Sequence, residues 1–322
     1  MALKFKLEHL MLIQWYPGHM HKAGKEIKQA LTDIDLIIEI VDSRIPFSSE
    51  NPKLAQLRAD KPCIKLLSKS DLADPIITQL WQDYLEKERG IKSLAISTTQ
   101  PDRIQAIHNL CKRIIPHKAS RNIHALIMGI PNVGKSTLIN QLAGRTIAKT
   151  GNEPAITKVI QRIDLQNGIT LFDTPGMLWP NLDNKNSGYR LATTGAIRDT
   201  AISHDDIAYF AVDYLLQTYP ELLKTRFQLE TLPATEKEFL EIVGKKRGCL
   251  QTGGIVNMDK ISKIFLSELR AGTIGRISLE MPEMAEQEMA ELLIIRQEKE
   301  AAREAKKKAR KQDRKQNFKA TR

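Results

Sequence analysis

The sequence predicts an α/β fold in which a mostly parallel sheet carries helices on both faces and is followed by a smaller helical domain. Between Asp35 and Thr174, short apolar runs alternate with longer segments of helical periodicity, which is typical of sheets built from strand–helix–strand units. After Pro180, helical periodicity continues with few strand signals. The 322 residues suffice for two domains of ordinary size, each with its own core.

Five short runs rich in Ile, Leu and Val are the predicted strands, because continuous apolar runs are typical of strands buried on both faces. They cover residues 36–41, 63–67, 93–96, 124–128 and 169–172. Two intervening segments, 75–88 and 101–115, begin with a proline, which is favoured in the first turn of a helix. These segments are therefore predicted to be helices that cover the sheet.

The C-terminal part is predicted to be helical throughout. Helical periodicity covers residues 205–217, 233–243 and 259–271. From residue 283 the composition favours a long helix, but past Ile295 almost no apolar face remains, so its end is expected to fray or be disordered in isolation. The predicted organisation is an N-terminal extension at 1–11, the α/β domain at 12–180, the helical domain at 181–282 and a tail at 283–322.

Positive charge is concentrated in that tail. The chain has 49 basic and 38 acidic residues, a net charge of +11. Residues 296–322 contain twelve Lys or Arg and four Asp or Glu, so a nearly neutral body carries a basic extension. Such a distribution favours contact with a polyanion, and a tail that only improves solubility is the alternative.

The sequence carries no secretory or membrane signal. It lacks a long apolar run, a signal-peptide core and an arginine-rich presequence. Its 3 cysteines are far apart and form no CxxC pair, which indicates a reducing compartment and argues against a structural zinc site. We therefore expect a cytoplasmic protein without a membrane partner.

Residues 129–136 read Gly-Ile-Pro-Asn-Val-Gly-Lys-Ser and match the GxxxxGK[ST] pattern of a phosphate-binding loop. The loop follows a predicted strand and precedes a helical segment, so its backbone N–H groups and the helix N-terminus can surround phosphates. We expect Lys135 to reach the β and γ phosphates and the Ser136 hydroxyl to bind Mg²⁺. The nucleotide contacts expected from this loop are Asn132, Val133, Gly134, Lys135, Ser136 and Thr137.

A second motif, Asp173-Thr174-Pro175-Gly176, follows the last predicted strand. After a phosphate loop, this motif is typical of the second switch of a GTPase, in which the carboxylate holds Mg²⁺ through water and the glycine N–H meets the γ-phosphate. We assign these roles to Asp173 and Gly176. Between the two motifs, the Thr157 hydroxyl is the candidate Mg²⁺ ligand from the first switch.

The motif that reads the base lies upstream of the phosphate loop. Ser68-Lys69-Ser70-Asp71 directly follows a predicted strand and matches [NTS]KxD. The Asp71 carboxylate can accept hydrogen bonds from guanine N1–H and the exocyclic amine, a donor pair that adenine lacks. The aliphatic stem of Lys69 would cover a face of the base, and the N–H groups of Ser97 and Thr98, one strand later, would contact guanine O6.

The motifs therefore occur in the order base reader, base support, phosphate loop, first switch and second switch, a circular permutation of the usual GTPase order. With four further segments, this order resembles the circularly permuted YlqF/YawG GTPases over about residues 12–282. The segments are WYPGHM at 15–20, VDSRIP at 41–46, KRGCL at 246–250 and the glycine pair at 253–254. The expected fold is a circularly permuted P-loop GTPase domain, a small all-helical domain and a basic helical or disordered tail.

This resemblance implies hydrolysis of GTP to GDP, slow in isolation and stimulated by the ribosomal subunit. It implies an assembly factor that binds rRNA and ribosomal proteins of the large ribosomal subunit precursor and leaves after hydrolysis. Met177 stands where many GTPases have a water-orienting glutamine, so a non-hydrolysing, nucleotide-sensing RNA-binding module is the alternative. The resemblance assigns positioning of the attacking water to His19, for which a structural or RNA-contacting role is equally open. It also assigns K⁺ binding to Asn132.

Three residues depart from the family pattern: Ser43 stands where Ala is usual, Ser68 where Asn is usual and Ala155 where Gly is usual. The usual Asn ties the base site to the phosphate loop, so the shorter serine is expected to lower guanine affinity without changing selectivity.

The compact basic segment Lys245, Lys246 and Arg247 is expected to bind RNA through shape and phosphate contacts. Arg270 and Arg276 follow it in the sequence and add positive charge. A charged, solvated loop is the alternative. The sequence leaves the oligomeric state open.

Overall fold

The computed structural model describes residues 27–52, 58, 60–116, 121–147, 160–176, 184–197 and 203–320. The chain is divided into two compact units, Met1–Met281 and Pro282–Arg322. The boundary predicted near residue 180 falls outside the described residues and stays a prediction.

Within its described residues, the first unit contains one six-stranded sheet. Its strands are β1 (Leu36–Asp42), β2 (Cys63–Ser68), β3 (Ile91–Ala95), β4 (Ile123–Gly129), β5 (Gln161–Asp164) and β6 (Ile169–Asp173). Their order is β3–β2–β1–β4–β6–β5, and all neighbours are parallel except β5 and β6. The five predicted strands are confirmed. Strand β5 was missed because it is an edge strand with mostly exposed side chains and no apolar run.

The strand order predicts a ligand crevice at the centre of the sheet. The chain runs from β1 through β2 to β3 toward one edge of the sheet, and from β4 to β6 toward the other. In an open parallel sheet, the loops that leave the two central strands diverge, and ligands bind at the carboxyl ends where they part. The loops after β1, β2, β3, β4 and β6 all lie along this carboxyl edge.

Four of the helices within the described residues are interleaved with the strands. They are α1 (Pro46–Ser49), α2 (Pro75–Leu85), α3 (Pro101–Ile114) and α4 (Lys135–Ala143). The two helices predicted from their leading prolines are confirmed as α2 and α3. The Asp74 carboxylate caps α2 by accepting a hydrogen bond from the Ile76 N–H at 2.9 Å.

Past β6, the described residues of the first unit form mainly helices, as predicted. The helices are α5 (Lys185–Thr193), α6 (His204–Thr218), α7 (Pro220–Phe227), α8 (Glu236–Lys246) and α9 (Met258–Arg270). Phe227, Phe239 and Phe265 pack against one another in the core of this region, with ring centroids 5.4 to 6.2 Å apart.

The second unit is the 39-residue helix α10 (Pro282–Ala320), one of the two forms predicted for the tail. Leu293, Ile294 and Ile295 are exposed. Among the helices within the described residues, none combines the length and apolar content that crossing a membrane requires.

Candidate nucleotide-binding site

The phosphate loop connects β4 to α4 through a tight turn at the carboxyl edge of the sheet. Gly129 ends β4, and a Cβ atom there would lie 2.8 Å from the carbonyl oxygen of Ile40 on β1, so only glycine fits. Gly134 has a φ of +94° and directly precedes α4. Because the turn is tight, the N-terminus of α4, with its unpaired N–H groups, lies beside the loop, as an anion site requires.

Lys135, at the start of α4, and Asp173, at the end of β6, form a buried ion pair. Burial raises the pKa of the Asp173 carboxyl, an effect that the Lys135 charge partly offsets. Oδ1 of Asp173 accepts from the Lys135 ammonium, whereas Oδ2 has no hydrogen-bond partner among the described residues. A buried oxygen without a partner is costly, which fits a group that a ligand completes.

These groups fit a hydrated Mg²⁺. Mg²⁺ prefers oxygen ligands, keeps several waters and is usually bound through one or two carboxylates and the substrate phosphates. Ser136 supplies a hydroxyl in the first turn of α4, and Asp173 supplies the unpaired oxygen at the end of β6. The third expected ligand, Thr157, lies outside the described residues.

The second-switch motif packs on the phosphate loop. Thr174 donates to the Ile127 carbonyl on β4 from its N–H at 3.2 Å and from its hydroxyl at 3.0 Å. A Cβ atom on Gly176 would lie 3.3 Å from the backbone of Pro131. The backbone of the motif therefore runs close beside the loop, where a glycine N–H must lie to meet a γ-phosphate.

The base loop, residues 68–71, begins at the last residue of β2 and is held by Asp42 at the end of β1. The Lys69 ammonium lies 3.0 Å from Asp42 Oδ2, and the Arg44 guanidinium donates to both oxygens of Asp42 at 2.9 and 2.8 Å. Burial opposes ionisation of Asp42, but the charges of Arg44 and Lys69 outweigh it and hold its pKa well below the usual range. Asp71 is exposed at the end of the loop, so its carboxylate can face a ligand.

Ser68 connects the base loop to the phosphate loop. Its hydroxyl lies 2.8 Å from the Val133 carbonyl and 3.0 Å from the Val41 carbonyl. A hydroxyl has one proton and donates to one of them at a time, whereas an asparagine amide has two. The shorter side chain therefore reaches the phosphate loop, with one donor instead of two.

Ser97 and Thr98 lie beside the base loop. The Ser70 N–H donates to the Ile96 carbonyl at 3.1 Å, which joins the two loops. The Gln141 amide on α4 donates to the Thr98 carbonyl at 2.9 Å. The helix that begins at the phosphate loop therefore also holds the loop that is predicted to support the base.

Three residues that support the site were missed by the sequence reasoning: Asp42, Arg44 and Gln141. The first two had a signal, because VDSRIP places a carboxylate and a guanidinium directly after a predicted strand. Gln141 had none, since a glutamine within a short helix is ordinary. His19 and Met177 lie outside the described residues, so the proposed water-positioning group stays a prediction.

Asn132 connects the phosphate loop to the helical region. Its backbone has a φ of +59°, and its amide nitrogen donates to the Gly195 carbonyl, just after α5, at 2.9 Å. Because the nitrogen is the donor, the amide oxygen is the atom suited to a cation. The K⁺ site stays a prediction.

The basic segment was expected to be a loop, but Lys245 and Lys246 form the last turn of α8 and Arg247 directly follows it. All three residues are exposed. Lys246 also donates to two carbonyls at the end of α7, at 2.7 and 3.3 Å, and Arg247 pairs with Glu268 at 3.0 Å.

The two arginines that follow in the sequence contact the protein itself. Arg270 donates to the carbonyls of Ala192 and Thr193 at 2.8 and 2.9 Å, and Arg276 donates to carbonyls of the segment after β2.

Comparison with known proteins agrees with this geometry. A family model described as 50S ribosome-binding GTPase matches residues 124–246. Ribosome biogenesis GTPase A of Priestia megaterium is 44% identical over 287 residues, covering 86% of this chain and 99% of the relative.

Two solved structures are similar over most of the chain. GDP-bound TM YlqF has a TM-score of 0.57 and 28% identity, covering 80% of this chain and 99% of that one. GNP-bound YlqF from T. maritima has a TM-score of 0.56 and 27% identity, covering 81% and 99%. With the ordered motifs and the identity to its relatives, these matches show that the chain belongs to the ribosome biogenesis GTPase A family.

Proposed function

We propose that this GTPase binds the large ribosomal subunit precursor in its GTP-bound form and leaves the particle after hydrolysis. The observation that carries the proposal is the meeting of the base loop, phosphate loop and second switch at one edge of the sheet, joined by the Ser68–Val133 hydrogen bond of 2.8 Å. The names of the relatives place them in ribosome biogenesis, and the similar YlqF structures are GDP-bound and GNP-bound.

Each part of the site has a role in this proposal. Asp71 selects guanine by accepting from N1–H and the exocyclic amine, and Lys135 turns from Asp173 to the phosphates. Ser136 and Asp173 hold Mg²⁺, which supplies positive charge at the β and γ phosphates when bound. The roles of Thr157 as a further ligand, Asn132 as a K⁺ ligand and His19 in positioning water are parts of the same proposal.

The contacts between the phosphate loop and the helical region support a nucleotide-dependent grip on RNA. Asn132 bonds the carbonyl of Gly195, just after α5. Arg270, at the end of α9, donates to two carbonyls at the end of α5. A rearrangement at the phosphates can therefore reach α9 through the end of α5, as switch loops transmit loss of a γ-phosphate.

Exposed positive charge supports rRNA as the ligand. Lys245 to Arg247 lie on the surface of the helical region, and the sequence of α10 is strongly basic beyond residue 296. Neither group presents a pattern that reads base identity, so phosphate and shape recognition is the proposed mode.

Turnover measured with and without large ribosomal subunits tests the proposal. We expect slow GTP hydrolysis by the isolated protein and clear stimulation by subunits, lowered selectively in a His19→Ala variant. If the protein binds subunits equally well in its GDP-bound and GTP-bound forms, and the subunits leave GTP turnover unchanged, nucleotide-timed release is contradicted.

The RNA-binding role of the tail has a separate test. Truncation after Ile295 is expected to flatten the salt dependence of subunit binding, because each phosphate contact releases counterions. GTP binding should not change, since all the assigned nucleotide contacts precede residue 177. An unchanged salt slope would favour the solubilising tail instead.

A further inference from the structure

The segment that follows α9 crosses the base loop. We call residues 276–280 the return segment, because they bring the chain back from the helical region to the sheet. The Arg276 guanidinium donates to the Ala73 carbonyl through Nε and to the Ser70 carbonyl through Nη2, both at 2.9 Å. The Ile277 N–H donates to the Leu72 carbonyl at 2.9 Å. One arginine therefore spans the stretch of backbone that contains Asp71.

We propose that Arg276 is a positioning residue for guanine recognition, acting through the backbone of Asp71. The proposal rests on the assignment of Asp71 as the base reader. The carbonyl of Ser70 belongs to the same peptide group as the Asp71 N–H, so fixing this carbonyl fixes the peptide plane from which Asp71 projects. Because the Asp71 side chain is exposed, its direction depends on that backbone.

The base loop needs such support because of its conformation. Lys69 has a φ of +56°, in the left-handed region that residues with a Cβ rarely adopt and that surrounding contacts must maintain. Ser70 is then held from both sides: its N–H donates to Ile96 at 3.1 Å, and its carbonyl accepts from Arg276. A guanidinium holds several donors in a rigid plane and so fixes the directions of two carbonyls, whereas a lysine ammonium is a compact charge on a flexible stem.

The rest of the return segment anchors Arg276 independently of its side chain. Ile277 and Leu279 are buried, and the Leu279 N–H donates to the Arg44 carbonyl at 2.8 Å. A Cβ atom on Gly272, in the turn after α9, would lie 2.7 Å from Leu72 Cδ2, so this turn is pressed against the same stretch. Removing the exposed Arg276 side chain should therefore change the loop and leave the fold intact.

Discrimination between GDP and inosine diphosphate (IDP) tests the proposal, because the inosine base lacks the C2 amine that Asp71 would bind. The unmodified protein should prefer GDP by about tenfold or more, the value of one hydrogen bond to a charged group. Arg276→Ala should reduce this preference about threefold with little change in melting temperature, and Arg276→Lys should recover part of it. Arg226→Ala removes an arginine that pairs with Glu268 at 2.8 Å in the helical region and should leave the preference unchanged.

The outcomes separate the two assignments. If Asp71→Asn abolishes the preference and Arg276→Ala does not reduce it, the role of Arg276 is wrong and that of Asp71 stands. If Asp71→Asn leaves the preference unchanged, the base reader itself is misassigned. Equal losses of GDP and IDP affinity in Arg276→Ala would also overturn the positioning role, because they would indicate general destabilisation of the site. Full recovery of the preference by Arg276→Lys would overturn it as well, because it would show that positive charge alone is sufficient.

Discussion

The phosphate half and the base half of the nucleotide site are held by different kinds of contact. The phosphate half depends on a tight local turn, on glycines at 129 and 134, and on one ion pair between Lys135 at the start of α4 and Asp173 at the end of β6. The base half is held from distant parts of the chain, by Asp42 and by Arg276. A short motif can therefore specify phosphate binding almost alone, whereas base recognition depends on the packed fold.

The largest effect is expected where the base half depends on one buried carboxylate. Asp42→Asn leaves the buried Arg44 guanidinium without its charge partner, which should cost about 3 kcal/mol of unfolding free energy. Because folding lowers the Asp42 pKa, its contribution is complete above the ordinary carboxyl pKa of about 4 and is lost as the pH falls through the lower folded value. Measured by urea unfolding, the difference in unfolding free energy between the variant and the unmodified protein should be the same at about pH 7 and about pH 5, and smaller at about pH 3. A difference independent of pH would show that Asp42 does not act through its charge.

Lys135→Ala tests whether the halves are separable. The loss of a charge-assisted contact to phosphate should weaken GDP binding by about a hundredfold. The preference for GDP over IDP should persist, because the base loop is unchanged. Lys92→Ala, on β3, removes an ammonium that lies 2.9 Å from Glu86 just after α2; it is the control and should bind GDP normally. A collapse of base preference in Lys135→Ala would mean that the two halves form one cooperative unit.

The difference between the halves also determines what the sequence could predict. The parallel sheet, the tight turn at 129–134 and the position of Asp173 at the end of a strand were predictable because apolar runs and glycine-rich turns act over a few residues. The order of the motifs identified the permutation. The support of the base loop by Arg276 was not predictable, because about 200 residues separate it from Ser70 and no pattern marks an arginine that binds main-chain carbonyls. Its placement in the sequence suggested RNA binding, whereas its contacts are with the base loop.

Ser68→Ala removes the direct bond between the halves. We expect GDP affinity to fall about fivefold, since a hydrogen bond contributes about 1 kcal/mol, and Ser68→Asn, with a second donor, to exceed the unmodified protein. Ser93→Ala deletes a hydroxyl on β3 that donates to Glu86 and should leave GDP affinity unchanged. If Ser68→Ala binds GDP as well as the unmodified protein does, the 2.8 Å contact with Val133 has no part in joining the two halves.

The smallest effect is expected beside the base half, at Ser43. Its N–H donates to the Ser68 carbonyl at 2.9 Å, but its fully buried hydroxyl has no partner within the described part of the chain. A buried polar group without a partner destabilises the fold, so Ser43→Ala should raise stability by about 1 kcal/mol, or the melting temperature by about 2–4 °C. Ser49→Ala is the matched control, because that buried hydroxyl accepts from the Asp42 N–H at 2.9 Å and donates to the Ile45 carbonyl at 2.7 Å. Deleting the hydroxyl should therefore raise stability at Ser43 and lower it at Ser49. A loss of stability at both positions would show that the Ser43 hydroxyl is hydrogen-bonded.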